Sequence, residues 1–194
     1  MQFIEIEKLI DKAQSPLDNA GLERFQLANG EGHQPYFRFL YHLVKYMGAK
    51  NCVEIGVYNG IASAHMAIAG AKVTGIDHNE VIYQHNNFNF IHGDSCKVVD
   101  QVPKNINILF QDSSHHYLPS KIEWELYSPL MARGGVWVCD DITPAFYNPN
   151  YDPNPLHIDP EGCGMVQYFE GLSGNKKLYP DLLHIGNTQG IILF

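Results

Sequence analysis

Asp112, Asp140 and Asp141 are the residues of this sequence whose types and spacing point most directly to chemistry. Each follows a short, mostly apolar run: residues 106–110 lead to Gln111-Asp112, and residues 136–139 to Asp140-Asp141. Three carboxylates offer the hard oxygen donors that suit Mg²⁺ or another divalent cation. Brought together without a cation, they would repel one another and raise at least one pKa. A cation held there could bind an acceptor hydroxyl and lower its pKa. The alternative is that Asp141 caps a turn and only Asp112 or Asp140 faces a ligand. His115-His116 follow Asp112 closely. His115 is a candidate general base near neutral pH, with a surface histidine as the competing reading. The other histidines have no metal-ligand spacing.

A second group lies earlier, in residues 51–69, NCVEIGVYNGIASAHMAIA. An apolar run reaches Gly56, turns through Val57-Tyr58-Asn59-Gly60 and leaves as a small-residue helix. This predicts a strand, a glycine turn and a helix N-terminus, which presents backbone N–H groups to a ligand. The spacing is Gly-x3-Gly, not the Gly-x-Gly-x-x-Gly of dinucleotide folds. Glu54 places a carboxylate beside the turn, which repels a pyrophosphate and attracts a cationic ligand.

The elements that must position these groups follow a βα rhythm. Residues 1–34 read as an N-terminal helical cap, with an amphipathic helix at 3–14 and a loop-rich stretch at 15–34. A helix runs from Pro35 to Gly48, with Phe37, Leu40, Tyr41, Val44 and Met47 at helical spacing. After the glycine turn, 72–76 read as a strand ending at Asp77, 79–88 as a short helix, and 90–94 as a strand ending at Asp94. Residues 106–110 form the next strand, 119–132 a helix carrying Ile122, Leu126 and Leu130, and 136–139 a further strand. A helix at 165–172 precedes a closing hairpin of 182–185 and 190–194. Such a rhythm implies a mostly parallel sheet with helices on both faces, and ligands bind outside the carboxyl ends of its strands. Asp77, Asp94, Asp112 and Asp140-Asp141 then line one acidic rim. Residues 143–162, rich in proline and aromatics, break the rhythm and read as a lid loop.

At 194 residues, one domain with a substantial core is expected. A net charge of −8 argues against non-specific binding to nucleic acid or to acidic membranes. No apolar run approaches membrane-spanning length. The N-terminus lacks the pattern of a signal peptide, and four scattered cysteines without a C-x-x-C pair fit a reduced, cytoplasmic protein.

Together VEIGVYNGIASAHMA, GID, GDS and LFQDSSHHY…PLMARGGVWVCDDI resemble the class I S-adenosylmethionine-dependent methyltransferases, over about residues 35–142. The likeness is to the small-molecule branch with an IDGSHxY-like fourth strand and a DD-ended fifth. It implies a Rossmann-like, mostly parallel seven-stranded sheet with a C-terminal antiparallel hairpin. It further implies that Glu54, Gly56 and Gly60 hold the methionine end of S-adenosyl-L-methionine, with Tyr58 in the same turn. Asp77 would chelate the ribose hydroxyls, with His78 beside it, and Asp94 with the Ser95 backbone would read the adenine. Asp112 would border both cofactor and chemistry, and Asp112, Asp140 and Asp141 match positions that hold a divalent metal in some relatives. Gln111 stands where the pattern has an apolar residue, and Ser113 where it has glycine.

The reading is a methyltransferase acting on a hydroxyl of a small-molecule acceptor, with homodimerisation left open. The rival readings are a protein that binds the same cofactor without transferring methyl, and a nicotinamide-dependent oxidoreductase. The latter requires Gly-x-Gly-x-x-Gly and no acid at position 54, and both requirements fail.

Overall fold

Alternate residues of the central strands face two separate apolar layers, and this alternation organises the chain. The computed structural model describes residues 1–10, 37–142, 164–180, 182 and 188–194. The strands are β1 (Asn51–Ile55), β2 (Lys72–Asp77), β3 (Phe88–His92), β4 (Ile106–Gln111), β5 (Met131–Cys139), β6 (Asn175–Pro180) and β7 (Thr188–Leu193). They form one sheet in the order β3-β2-β1-β4-β5-β7-β6. Every pairing from β3 to β5 is parallel, while β7 runs antiparallel to both β5 and β6. The expected mostly parallel seven-stranded sheet with an antiparallel C-terminal pair is therefore what the chain forms.

Cys52, Ile108, Val136 and Ile191 point to the layer covered by α1 (Phe3–Ile10), α2 (Arg38–Met47) and α3 (Ile61–Ile68). Their chain neighbours Val53, Leu109, Trp137 and Ile192 face α4 (Tyr117–Tyr127) and α5 (Met165–Gly171). A strand buried on both faces reads as a mostly apolar run rather than an alternating one, as 52–55, 108–110 and 136–139 do despite Glu54. Helix α2 ends where its glycine predicts: Gly48 is left-handed, and its neighbour Ala49 donates to Val44 O at 3.1 Å.

Three sequence expectations are corrected. No helix forms between β2 and β3. The ten residues 78–87 form a loop in which Asn79 N donates to Asp77 Oδ1 and Phe88 N to His85 O. Tyr83 lies against Gly60, and its ring sits 4.9 Å from that of Phe88, so two aromatic side chains cover what a crossover helix would cover. The strand paired with β7 is Asn175–Pro180, not 182–185; residues 183–187 lie outside the described residues. On α4 the buried face is Ser120, Glu123 and Tyr127, while Ile122 and Leu126 are only partly buried, and Leu130 lies in the 3-10 turn that follows the helix. The 143–162 lid and most of the N-terminal cap also lie outside the described residues.

Candidate active site

Backbone hydrogen bonds carry the parallel ladder one residue past its strands and set the rim. Gly56 N donates to Ile76 O at 2.9 Å, Asp112 N to Ile55 O at 2.8 Å, and Asp140 N to Gln111 O at 2.9 Å. These bonds align Gly56, Asp112 and Asp140 across three adjacent strands. A Cβ on Gly56 would lie 1.9 Å from the Asp112 carbonyl oxygen, and Gly56 has φ +86°. Glycine is demanded here by the neighbouring strand end, independently of any ligand.

The turn that follows is held by Asp77. Its Oδ2 accepts Val57 N at 2.9 Å and Tyr58 N at 2.8 Å, from the far side of the β1–β2 pair. Tyr58 has φ +50° and exposes its side chain, being 70% accessible. Gly60, at φ +83°, is the N-cap of α3. Glu54 is 2% exposed and accepts a short hydrogen bond from Ser63 Oγ on α3. Burial pushes its carboxyl well above the usual range, and the charges of Asp112 and Asp77 add to that. His78 is exposed, 3.7 Å from Asp77 Oδ1. Past β3, Asp94 accepts Cys96 N at 2.9 Å and pairs with Lys97 at 2.8 Å.

Beyond β4 and β5, the structure gathers Asp112, His115 and Asp141. One ligand atom from each lies within 4.8 Å of the others. His115 Nε2 is 2.9 Å from Asp112 Oδ1, and its Nδ1 is 3.1 Å from Asp141 Oδ2. Burial opposes charge on this ring, but the Asp112 hydrogen bond and the charges of Asp112, Asp141 and Asp140 outweigh it and raise its pKa to about 9. The ring is thus held at both nitrogens between two carboxylates. Asp140 stands beside this group, not in it. It is 3% exposed, and its Oδ1 accepts Gln189 Nε2 at 2.7 Å and Asp141 N at 2.8 Å. Burial, then the charge of Asp112, lifts its pKa to about 7. His115 (φ +55°) and Asp141 (φ +49°) are both left-handed. With Tyr58, they place three of the four described non-glycine residues of positive φ on this rim, where strained backbone commonly marks a functional site.

Oxygen-rich and imidazole donors at this spacing fit a divalent cation, with His115 joining the carboxylates and Asp140 adjacent. The acidic residues Glu54, Asp77 and Asp94 at three successive strand ends fit a ligand rich in hydrogen-bond donors and positive charge.

Sequence reasoning missed Glu123. It is 2% exposed and accepts Ser95 Oγ at 2.6 Å, Gln111 Nε2 at 2.7 Å and Ser113 Oγ at 2.8 Å. Gln111 and Ser113, the two residues that depart from the family pattern, both bond to this one carboxylate.

A seven-stranded sheet with one reversed strand, a glycine turn after β1 and an acidic rim define a methyl-transferring Rossmann-like fold. The chain belongs to the class I S-adenosylmethionine-dependent methyltransferases. A methyltransferase domain family matches residues 53–142. An Arabidopsis thaliana protein provisionally named as a caffeoyl-CoA O-methyltransferase is 34% identical over 184 residues, covering 86% of this chain and 76% of its own length. Among solved structures, a Staphylococcus aureus protein given the same provisional name superposes with a TM-score of 0.65 at 18% identity, covering 98% of this chain and 99% of its own. The O-methyltransferase TomG of Streptomyces achromogenes, solved with S-adenosylmethionine, does so at 0.64 and 16% identity, covering 98% and 94%. Among the described residues, no helix is long and apolar enough to cross a membrane.

Proposed function

We propose that this enzyme transfers methyl from S-adenosylmethionine to an oxygen of a small, hydroxyl-bearing acceptor, in the cytoplasm. The observation that carries the reading is the Asp112–His115–Asp141 group, set on the same rim as the glycine turn. In this reading Glu54, Gly56, Tyr58 and Gly60 take the methionine end of the cofactor. Asp77 faces the ribose with His78 beside it, and Asp94 and Ser95 take the adenine. A carboxylate has about four lone-pair sites, so Asp77, which accepts three backbone N–H groups, can hold the turn and still meet a hydroxyl.

Bound there, S-adenosylmethionine supplies an electrophilic methyl group on a sulfonium. A divalent cation held by Asp112 and Asp141, with Asp140 adjacent, would supply Lewis acidity to the acceptor oxygen. The chain's own task is alignment of donor and acceptor and disposal of one proton. His115 is the residue placed for that proton: its ring is fixed at both nitrogens, and its neutral form, favoured when a cation offsets the charges of Asp112 and Asp141, would accept it. Asp112, anchored through its own N–H to β1, orients the ring.

The test is incubation with methyl-labelled cofactor and a panel of catechol, phenol and sugar acceptors. Label in an acceptor oxygen, with release of S-adenosylhomocysteine, is the expected result. Cofactor binding without turnover on any acceptor would favour a binding protein, and absence of cofactor binding would overturn the reading.

A further inference from the structure

We propose that Glu123 sets the hydrogen-bond polarity of the adenine wall: it takes the Ser95 hydroxyl proton, leaves that oxygen as an acceptor, and so selects a 6-amino purine over a 6-oxo purine. This rests on the cofactor placement proposed above.

Trp137 fixes the direction of this network, because its indole N–H can only donate. It donates to Gln111 Oε1 at 3.2 Å, and Tyr168 OH donates to the same oxygen at 3.0 Å. The Gln111 amide is therefore fixed with its oxygen toward Trp137 and Tyr168 and its NH₂ toward Glu123. Glu123 Oε2 receives that NH₂ and the Ser113 hydroxyl, and Oε1 receives the Ser95 hydroxyl. Tyr127 OH also donates to Ser95 O at 2.7 Å, so the residue is held at backbone and side chain alike. A serine hydroxyl has one proton and two lone pairs. With its proton committed inward, half-buried Ser95 offers only lone pairs to a ligand. An exocyclic amine satisfies them, whereas a carbonyl at the same position faces them unpaired.

The fixed Gln111 makes the polarity reversible by one atom. In Glu123→Gln, the new amide oxygen must face the Gln111 NH₂ and Ser113, because two NH₂ groups cannot bond to each other. The new NH₂ then faces Ser95 and donates to it, and the Ser95 proton turns outward. The acceptor becomes a donor.

Calorimetry of S-adenosylhomocysteine against S-inosylhomocysteine, on wild type, Glu123→Gln and Ser95→Ala, tests this. The wild type is expected to favour the adenine form by about tenfold or more, from one unpaired polar contact. Glu123→Gln should bring that ratio near unity or reverse it, and Ser95→Ala should flatten it. Both ligands are compared on the same folded protein, so a merely structural Glu123 could shift the melting temperature but not the ratio. If Glu123→Gln fails to fold, Ser95→Ala decides: a flattened ratio supports the inference and an unchanged one overturns it. An unchanged ratio in both variants, with tight cofactor binding retained, overturns this inference alone. If the wild type binds neither ligand, the cofactor placement fails and this inference fails with it.

Discussion

Asp77 holds the backbone N–H of Tyr58 at 2.8 Å, reaching from the end of β2 into the turn that follows β1. The same oxygen takes the Val57 N–H, so one carboxylate orders a turn whose Tyr58 backbone is left-handed. Asp77→Ala leaves three backbone donors, Val57, Tyr58 and Asn79, without this partner. The variant should lose about 2–4 kcal/mol of stability without cofactor, in addition to weaker cofactor binding. Urea titration and calorimetry on the same preparation read the two effects. An unchanged unfolding midpoint would show that the turn stands without Asp77.

Gly56 and Gly48 are both left-handed glycines, but only one is crowded. An added Cβ at Gly48 meets nothing within 4 Å, whereas at Gly56 it meets the Asp112 carbonyl oxygen at 1.9 Å. Gly48→Ala should cost about 1 kcal/mol, from backbone conformation alone. Gly56→Ala should cost about 3–4 kcal/mol or more, because β4 must move away from β1. Equal costs in denaturant titrations would contradict the close approach.

His65 lies on α3, buried, with neither ring nitrogen hydrogen-bonded. Burial, then the charges of Arg38 and His42, lowers its pKa to about 3. The folded protein therefore binds this proton less readily than the unfolded chain does. Stability from the neutral ring is full above about 6.5 and is lost progressively as pH falls from there toward 3. His65→Leu should flatten that acid limb and raise stability at neutral pH by about 1 kcal/mol, since it removes two unmatched polar atoms. Unfolding free energies measured from pH 4 to 8 check both effects.

Asp140→Asn separates chemistry from folding. The amide keeps an oxygen for Gln189 Nε2 and the Asp141 N–H, so the fold should survive. Turnover should fall by about a hundredfold if a cation is held here, with cofactor affinity little changed. Wild-type activity should likewise drop on chelation and return with Mg²⁺. Full activity in excess chelator would leave His115 to work without a metal.

The sheet was legible because β1, β4 and the second half of β5 are short, mostly apolar runs and because Gly56, Gly60 and the strand-end acids announce their own positions. Three features were hidden for physical reasons. Residues 79–88 read as a short helix, but Tyr83 fills the space over Gly60 from a loop, and tertiary packing outweighed the local pattern. β6 is an edge strand carrying Lys176 and Lys177, so it lacks the apolar signature of its neighbours. Glu123 looked like the polar side of an amphipathic helix. Its burial depends on Ser95, Gln111 and Ser113, which are far from it in sequence. Only the joint departure of Gln111 and Ser113 from the family pattern hinted at a shared partner. His115 was read as a base, yet nothing in its spacing revealed that it bridges two carboxylates.

The short connection between β2 and β3 bears on how the molecule opens. β3 pairs with a single strand, and the segment that leads into it is a loop. Such an edge is where partial unfolding starts, at a free energy well below that of global unfolding. Ser95 follows β3, so that wall of the site rests on an edge strand of the sheet. Its backbone amides should exchange with solvent sooner than those of β1 and β4. A ligand that bridges the wall to the glycine turn would slow that exchange, tying the edge strand to the centre of the sheet.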